Sequence, residues 1–189
     1  MYTGPQSTEL VKAVDILRTI PTTEVQLVIV SAGFGLLKED DLVPPYDCSF
    51  TSMKIAQVRE RSNELGIRSS FNQVLENPFD LIYLALGKRY QIALGTDVFS
   101  TTETTTVLFH NLESDKSVRI PCAAAAVKAF SKSRHRIHGV VGFKGDLLRI
   151  LALYAKSRRS PENELNKWRN PTYLKKLIHC LGGLKQAKG

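Results

Sequence analysis

The sequence predicts an α/β fold, a mainly parallel sheet flanked by helices, with a basic helical segment at its C-terminal end. Three observations support this prediction. Short apolar runs rich in β-branched residues alternate with amphipathic segments, an order typical of a sheet covered by helices on both faces. Glycine or proline closes many of these segments, as expected at turns. Lysine and arginine concentrate in the last third of the chain.

The first half of the chain shows both periodicities. Leu10, Val14 and Leu17 share one face at helical spacing, and the apolar runs VQLVIV and FDLIYLAL are typical of buried parallel strands. Glycines follow several of the segments, where helices commonly end. The expected helices lie at 7–19, 52–65, 69–76 and 88–94, and the expected strands at 25–30 and 79–86.

The second half continues the alternation. A threonine-rich stretch predicts a strand over 105–109, because threonine favours strands, and 137–141 is predicted as another. Together with 25–30 and 79–86, these two are expected to form one sheet. A weaker strand candidate covers 118–120. The expected helices lie at 122–131, 145–157, 162–169 and 172–181.

The length of 189 residues suits one folded core with an appendage. We expect an α/β core domain over 1–150 and a basic helical extension over 151–189 that packs on it. The three cysteines are far apart, which argues against a zinc or iron–sulfur site and fits a reducing cytoplasm. There is no signal-peptide pattern and no apolar run long enough to span a membrane. No cofactor or metal is expected.

Charge divides the chain unevenly. Residues 1–119 hold 11 Lys/Arg and 15 Asp/Glu, a balance of −4, whereas residues 120–189 hold 15 Lys/Arg and 3 Asp/Glu, a balance of +12. Such asymmetry attracts polyanions. We therefore expect a nucleic-acid partner, with DNA favoured over RNA; a solvated basic tail and an anionic membrane surface are the alternatives. The expected phosphate contacts are Arg134, Arg136, Arg158, Arg159, Lys167, Arg169, Lys175 and Lys176.

Three glycine-containing segments follow predicted strands: 31–35, 87–90 and 142–145. Ligands of open α/β sheets bind beyond the carboxyl ends of strands, so these segments predict one shared site. The alternative is that the glycines only serve tight turns. The candidate ligand-binding residues in these segments are Gly33, Gly35, Lys88, Tyr90 and Lys144.

Tyr46 and Asp47 end the loop that follows the first predicted strand. A carboxylate there could orient water and the tyrosine could stack on a base, so Ser31, Tyr46 and Asp47 are the candidate catalytic residues. Alternatively, Tyr46 fills a gap and Asp47 caps the next helix. His135 and His138 flank Arg136 in a segment that suggests phosphate contact.

One family resemblance rests on the N-terminal motifs. Tyr2-Thr3-Gly4, followed by VIVSAGFGLLKEDDLVPPYD at 28–47, resembles the pattern of the YaaA-type peroxide-stress proteins and their bacterial and phage relatives. The resemblance implies DNA binding and a single α/β unit distantly similar to uracil-DNA glycosylases. It also implies one site, formed by Tyr2, Gly4, Ser31, Gly35, Tyr46 and Asp47. Gly33 and Phe34 depart from the family's pattern.

These observations lead to three functional hypotheses. The first is a nucleic-acid-binding protein with a base- or nucleotide-directed glycosidic-bond activity at the strand ends. The second is a non-catalytic protein that binds and protects DNA during stress. The third is an enzyme for small molecules whose basic region binds an acidic partner protein.

Overall fold

The computed structural model describes residues 4–95, 103–109, 116–133 and 135–183. It confirms the α/β class: a parallel sheet of three strands is flanked by helices. The helices are α1 (Pro5–Arg18), α2 (Ile55–Glu64), α3 (Ile67–Leu75), α4 (Lys88–Leu94), α5 (Ala124–Lys132), α6 (Gly139–Lys156), α7 (Pro161–Lys167) and α8 (Pro171–Leu181). The strands are β1 (Val28–Ser31), β2 (Gly35–Lys38), β3 (Leu81–Tyr83), β4 (Thr105–Leu108) and β5 (Ser117–Arg119).

The parallel sheet has the order β3-β4-β5. All four residues of β4 are buried, as expected for a central strand covered on both faces. Successive residues at its carboxyl end point to opposite faces. Val107 and Phe109 enter the core formed with α1, α5 and α6, whereas Leu108 enters the core formed with α2, α3 and α4.

The first predicted strand does not join this sheet. Residues 28–31 instead pair antiparallel with β2, in a separate hairpin whose register places Ser31 opposite Gly35. The expectation of one sheet containing 25–30 and 79–86 is therefore wrong. A tight three-residue turn, 32–34, returns the chain onto its own strand, and Gly35 makes this geometry accessible through its positive φ of 83°.

The predicted strand 137–141 is also wrong, because this segment begins α6. Val140 and Val141 are 41% and 75% exposed, so the apolar run does not mark a buried strand. A run this short does not distinguish strand from helix. The segment 142–145 is consequently part of a helix rather than a strand-to-helix turn. In its place β5 forms at the weaker candidate, 118–120.

The C-terminal helices share the main core. Trp168, Leu174 and Ile178 are buried in the same cluster as residues of α1 and α6. The expected boundary at residue 150 falls inside α6, which runs to Lys156. In the ranges that the structure describes, none of the helices combines the length and the apolar character needed to cross a membrane.

Candidate functional site

Three predicted site residues, Ser31, Gly33 and Tyr46, lie together with Phe34, and we call these four the hairpin cluster. The Ser31 hydroxyl is fully buried and donates to the Tyr46 hydroxyl at 2.7 Å. It also accepts hydrogen bonds from the backbone N–H groups of Gly33 and Phe34, each at 3.2 Å. The Ser31 side chain thus fixes the turn between β1 and β2.

Gly33 is required by the packing of the Tyr46 ring. A β-carbon at position 33 would lie 2.8 Å from Cδ2 of Tyr46, closer than such atoms approach. The ring also packs edge-on against Phe34, with centroids 5.0 Å apart. Tyr46 therefore occupies the space above Gly33 in which the sequence suggested a ligand. The Arg61 guanidinium supports the turn from α2 by donating to the carbonyls of Ala32 and Gly33.

Asp47 is exposed. It does not cap the next helical turn, because Ser49 is the N-cap of the 3₁₀ turn Phe50–Ser52 and accepts from the backbone N–H of Thr51. The capping alternative for Asp47 is therefore wrong. Its expected role in orienting water stays a prediction.

The remaining sequence candidates near the hairpin are spread over α1 and α4. Gly4 is the exposed N-cap of α1, and Lys88 is exposed at the start of α4. Tyr90 packs on Phe50, and its hydroxyl lies 3.2 Å from that of Ser49. Tyr2 lies outside the described residues.

A second group of polar residues forms where α1 crosses α6. Gly145 of α6 permits the contact, and Gly142 makes room for His138. A β-carbon at Gly145 would overlap the carbonyl oxygen of Gln6, and one at Gly142 would lie 2.7 Å from Cβ of His138. Side chains that are distant in sequence therefore meet at the N-terminal halves of the two helices.

We call Glu9, His138, Asp146 and Arg149 the helix cluster. The Asp146 carboxylate is fully buried. One of its oxygens lies 2.7 Å from Nδ1 of His138, and the other accepts from the His138 backbone N–H at 2.7 Å. An ionised Asp146 therefore places the imidazole proton on Nδ1 and leaves Nε2 as an acceptor. A carboxylate that fixes the tautomer in this way is the arrangement of an oriented general base.

Glu9 is buried beside this pair. It forms ion pairs with Arg149 and with Lys12, the latter at 2.7 Å. Burial works to raise the pKa of Glu9, but the hydrogen bond from Lys12 and the charges of Arg149 and Lys12 outweigh it. The pKa therefore lies below its ordinary value of 4.5. Glu9 is a carboxylate at neutral pH.

Glu9, His138 and Asp146 each offer a donor atom within 4.8 Å of the other two. Such a set could in principle hold a cation. However, the Glu9 carboxylate already contacts Lys12 and Arg149, and both oxygens of Asp146 face His138. Because these cations and N–H groups already use the donor oxygens, the arrangement fits an oriented imidazole better than a metal centre.

The carboxyl ends of the parallel strands meet the same part of α6. Tyr83 ends β3, and its hydroxyl donates to the Lys144 carbonyl at 2.6 Å. Burial, with the nearby Cys122 and Asp146, raises the pKa of Tyr83 well above its ordinary value of 10.0, so the phenol keeps its proton. The thiol of Cys122, just beyond β5, donates to the Val140 carbonyl at 3.2 Å. The helix cluster thus lies near the sheet edge at which α/β proteins bind ligands.

Lys144 was expected in the segment 142–145, between a predicted strand and a predicted helix, and this expectation is wrong because the whole segment is helix. The residue lies inside α6 and is only 8% exposed. Its ammonium lies 5.9 Å from the centroid of the Phe109 ring, just past the end of β4. The predicted ligand-binding residue thus does lie near the strand ends, but it reaches them from a helix.

The predicted phosphate-binding residues are exposed wherever the structure describes them. Arg169 pairs with Asp80 at 2.8 Å, and Lys167 pairs with Glu164 at 3.3 Å, so these two charges are partly compensated. Arg134 lies outside the described residues. The exposed members are Arg136, Arg158, Arg159, Lys167, Arg169, Lys175 and Lys176.

Sequence reasoning missed Glu9, Tyr83 and Asp146 as site residues. One usable signal was the spacing of Gly142 and Asp146, because residues four apart share a helix face. This spacing is informative only if the segment 139–156 is predicted to be helical from its first residue. No local signal links Glu9 to Asp146, since their contact depends on the packing of α1 on α6.

Comparison of the chain with models of protein families, with curated protein sequences and with solved structures finds no match. The resemblance to the YaaA-type proteins therefore stays a prediction.

Proposed function

We propose that this chain binds nucleic acid and hydrolyses the glycosidic bond of a nucleotide held near the carboxyl edge of the β3-β4-β5 sheet, with His138 as the general base. The observation that carries the proposal is the hydrogen-bonded pair of His138 and the fully buried Asp146. The pair lies on the helix that meets the strand ends.

The pair has the properties that base catalysis needs. Asp146 uses both oxygens to hold the ring and backbone of one residue, which fixes the orientation of the imidazole. The His138 side chain is 26% exposed, so water can reach it. General bases contribute roughly 10²–10⁴-fold to a rate when they are held in position.

Exposed basic residues precede His138 in the sequence. Lys128, Lys132 and Arg136 are exposed, and Arg136 is two residues before His138. Arg149 of the helix cluster donates to the Arg136 carbonyl at 3.1 Å. A polyanion bound along this segment would therefore place a nucleotide close to His138.

The glycosidic bond is the best-supported target in such a nucleotide. Its cleavage passes through a transition state in which the sugar carries positive charge. A nearby carboxylate, Asp146, favours that charge, and His138 can take the proton from the water that attacks the sugar carbon. The bond from that carbon to the base nitrogen breaks, and the base leaves with the electron pair and takes a proton from solvent. The resemblance to proteins that are expected to share a fold with uracil-DNA glycosylases supports the same bond.

A second candidate function is non-catalytic binding and protection of DNA. It is favoured by exposed cations that are not part of the helix cluster, such as Lys175 and Lys176 on α8. These residues could contact phosphates without a reaction, and this reading requires no chemistry at His138.

The test combines binding and product analysis on the full chain. Binding to duplex DNA and to RNA is measured from low to physiological salt, where we expect a log–log slope of about −0.9 per neutralised phosphate on DNA. Release of free base from nucleosides and oligonucleotides is measured by chromatography, and strand cleavage is scored separately. His138→Gln is the control for the reaction.

The proposal predicts base release by the wild-type protein that falls by about 10²-fold or more in His138→Gln, while binding is retained. If the wild-type protein binds nucleic acid but releases no free base, the catalytic function is contradicted and the non-catalytic protection of DNA is supported. A chain that binds neither DNA nor RNA at low salt would contradict both functions.

A further inference from the structure

The Lys144 side chain is largely buried, and its ammonium has no anionic partner among the residues that the structure describes. It is 8% exposed, and its ammonium contacts the ring face of Phe109 at 5.9 Å from the centroid. No hydrogen bond or ion pair joins this ammonium to any carboxylate in the described ranges. Lysine is rarely buried unless it is paired.

The two carboxylates of the helix cluster are already engaged. Asp146 directs both oxygens to His138, and Glu9 contacts Lys12 and Arg149. A cation–π contact compensates only part of the desolvation of a buried ammonium. The charge of Lys144 is therefore available to an anion that reaches this position.

The position of Lys144 is one where ligands bind. The Tyr83 hydroxyl, at the end of β3, fixes the backbone at this residue by donating to its carbonyl. Phe109, under the ammonium, follows the last residue of β4. The Lys144 ammonium thus lies near the carboxyl ends of two neighbouring parallel strands, where open α/β sheets bind their ligands.

We propose that Lys144 is a receptor for a phosphate group. Lysine binds phosphate as a point charge, and the buried setting strengthens the attraction because water screens it less. The identification of that phosphate as part of a nucleotide rests on the proposed function. The binding of the phosphate itself does not.

The experiment compares full-length wild-type protein with Lys144→Met, a substitution that keeps the length of the side chain and removes the charge. The matched control is Lys38→Met, which removes an exposed lysine of β2. The probes are inorganic phosphate, thymidine 5′-monophosphate and thymidine, each against potassium chloride at equal ionic strength. Affinity is measured by calorimetry and the melting temperature by thermal unfolding.

We expect phosphate and thymidine 5′-monophosphate to bind the wild-type protein and thymidine alone to bind more weakly. Lys144→Met should lower the affinity for phosphate by about tenfold or more, and Lys38→Met should leave it unchanged. Without phosphate, Lys144→Met should melt no lower than the wild type, because methionine fills the space of the largely buried side chain and the ammonium it removes has no anionic partner in the described residues. Equal phosphate affinity of wild type and Lys144→Met would overturn the inference.

A measurement on the wild-type protein covers the case in which Lys144→Met does not fold. Lysines are acetylated with and without phosphate, and the modified sites are quantified by mass spectrometry. Protection of Lys144 by phosphate but not by chloride supports the inference, and equal acetylation in both overturns it.

The outcomes also separate this inference from the proposed function. Phosphate binding through Lys144 in a protein that binds no nucleic acid would end the proposed function alone. Base release by a protein in which Lys144→Met binds phosphate normally would end this inference alone.

Discussion

The hairpin cluster and the helix cluster are both built around a buried polar side chain, and they use it differently. In the hairpin cluster, Ser31 bonds to two backbone N–H groups and to Tyr46, and the ring of Tyr46 fills the space above Gly33. In the helix cluster, Asp146 bonds to His138, and a quarter of the His138 side chain stays exposed.

The difference shows how a structural polar cluster can be told from a candidate active site. The hairpin cluster contains no charged side chain, and it fixes a tight turn. The helix cluster buries charged side chains and leaves one titratable ring accessible to water. Buried ionisable groups near a sheet edge indicate a catalytic site more strongly than a hydrogen-bonded turn does.

The largest effect on stability is expected from Gly145→Ala. The new methyl group would overlap the Gln6 carbonyl and push α1 away from α6, at a cost of about 1–3 kcal/mol. Because Glu9 would move away from His138, base release should fall as well. The control is Gly87→Ala, whose methyl group meets no atom within 4 Å and should cost less. Urea unfolding of the two variants measures the difference, and equal losses would contradict tight packing of the two helices.

A smaller effect is expected from Ser31→Ala. The substitution leaves the Gly33 and Phe34 N–H groups without their acceptor, at a cost of about 1–2 kcal/mol in the free energy of unfolding. Ser69→Ala removes an exposed hydroxyl that bonds to the Gly66 carbonyl and should cost less. If Ser31→Ala abolished base release without a change in stability, the hairpin cluster would have a catalytic role and the comparison would fail.

The smallest effect is expected from Glu9 at acid pH. Because the folded state lowers the pKa of Glu9 below 4.5, its ion pairs with Lys12 and Arg149 stabilise the fold above that pH. The contribution is lost as pH falls through the folded-state pKa. The stability of Glu9→Gln should therefore decline less than that of the wild type between pH 6 and pH 3. Denaturant unfolding at these pH values tests this, and parallel declines would contradict it.

Much of the fold could be predicted from sequence because it depends on local periodicity. The helices at 7–19, 88–94 and 172–181 were expected close to their observed bounds. The error at 137–141 arose because two exposed valines precede the buried face of α6. The pairing of β1 with β2 was missed because a three-residue turn gives little local signal.

The site was predictable only in part. The contact of Ser31 with Tyr46 joins residues fifteen apart in sequence. Both residues belong to the segment 28–47 and were predicted as site residues. Glu9 and Asp146 belong to helices that are far apart in sequence, and Gly145 of α6 lets these helices pack closely. Such a site depends on tertiary packing, which sequence periodicity does not encode.

The most direct test of the account compares base release by Asp146→Asn and by Asp47→Asn. Asparagine at 146 can keep the bond from the His138 backbone only by turning its NH₂ group toward Nδ1. The imidazole proton would then move to Nε2, and the general base would be lost. The account predicts a fall of about 10²-fold or more for Asp146→Asn and a rate near wild type for the exposed Asp47→Asn. A large fall in Asp47→Asn with a rate near wild type in Asp146→Asn would contradict the role of His138 as general base and assign catalysis to Asp47.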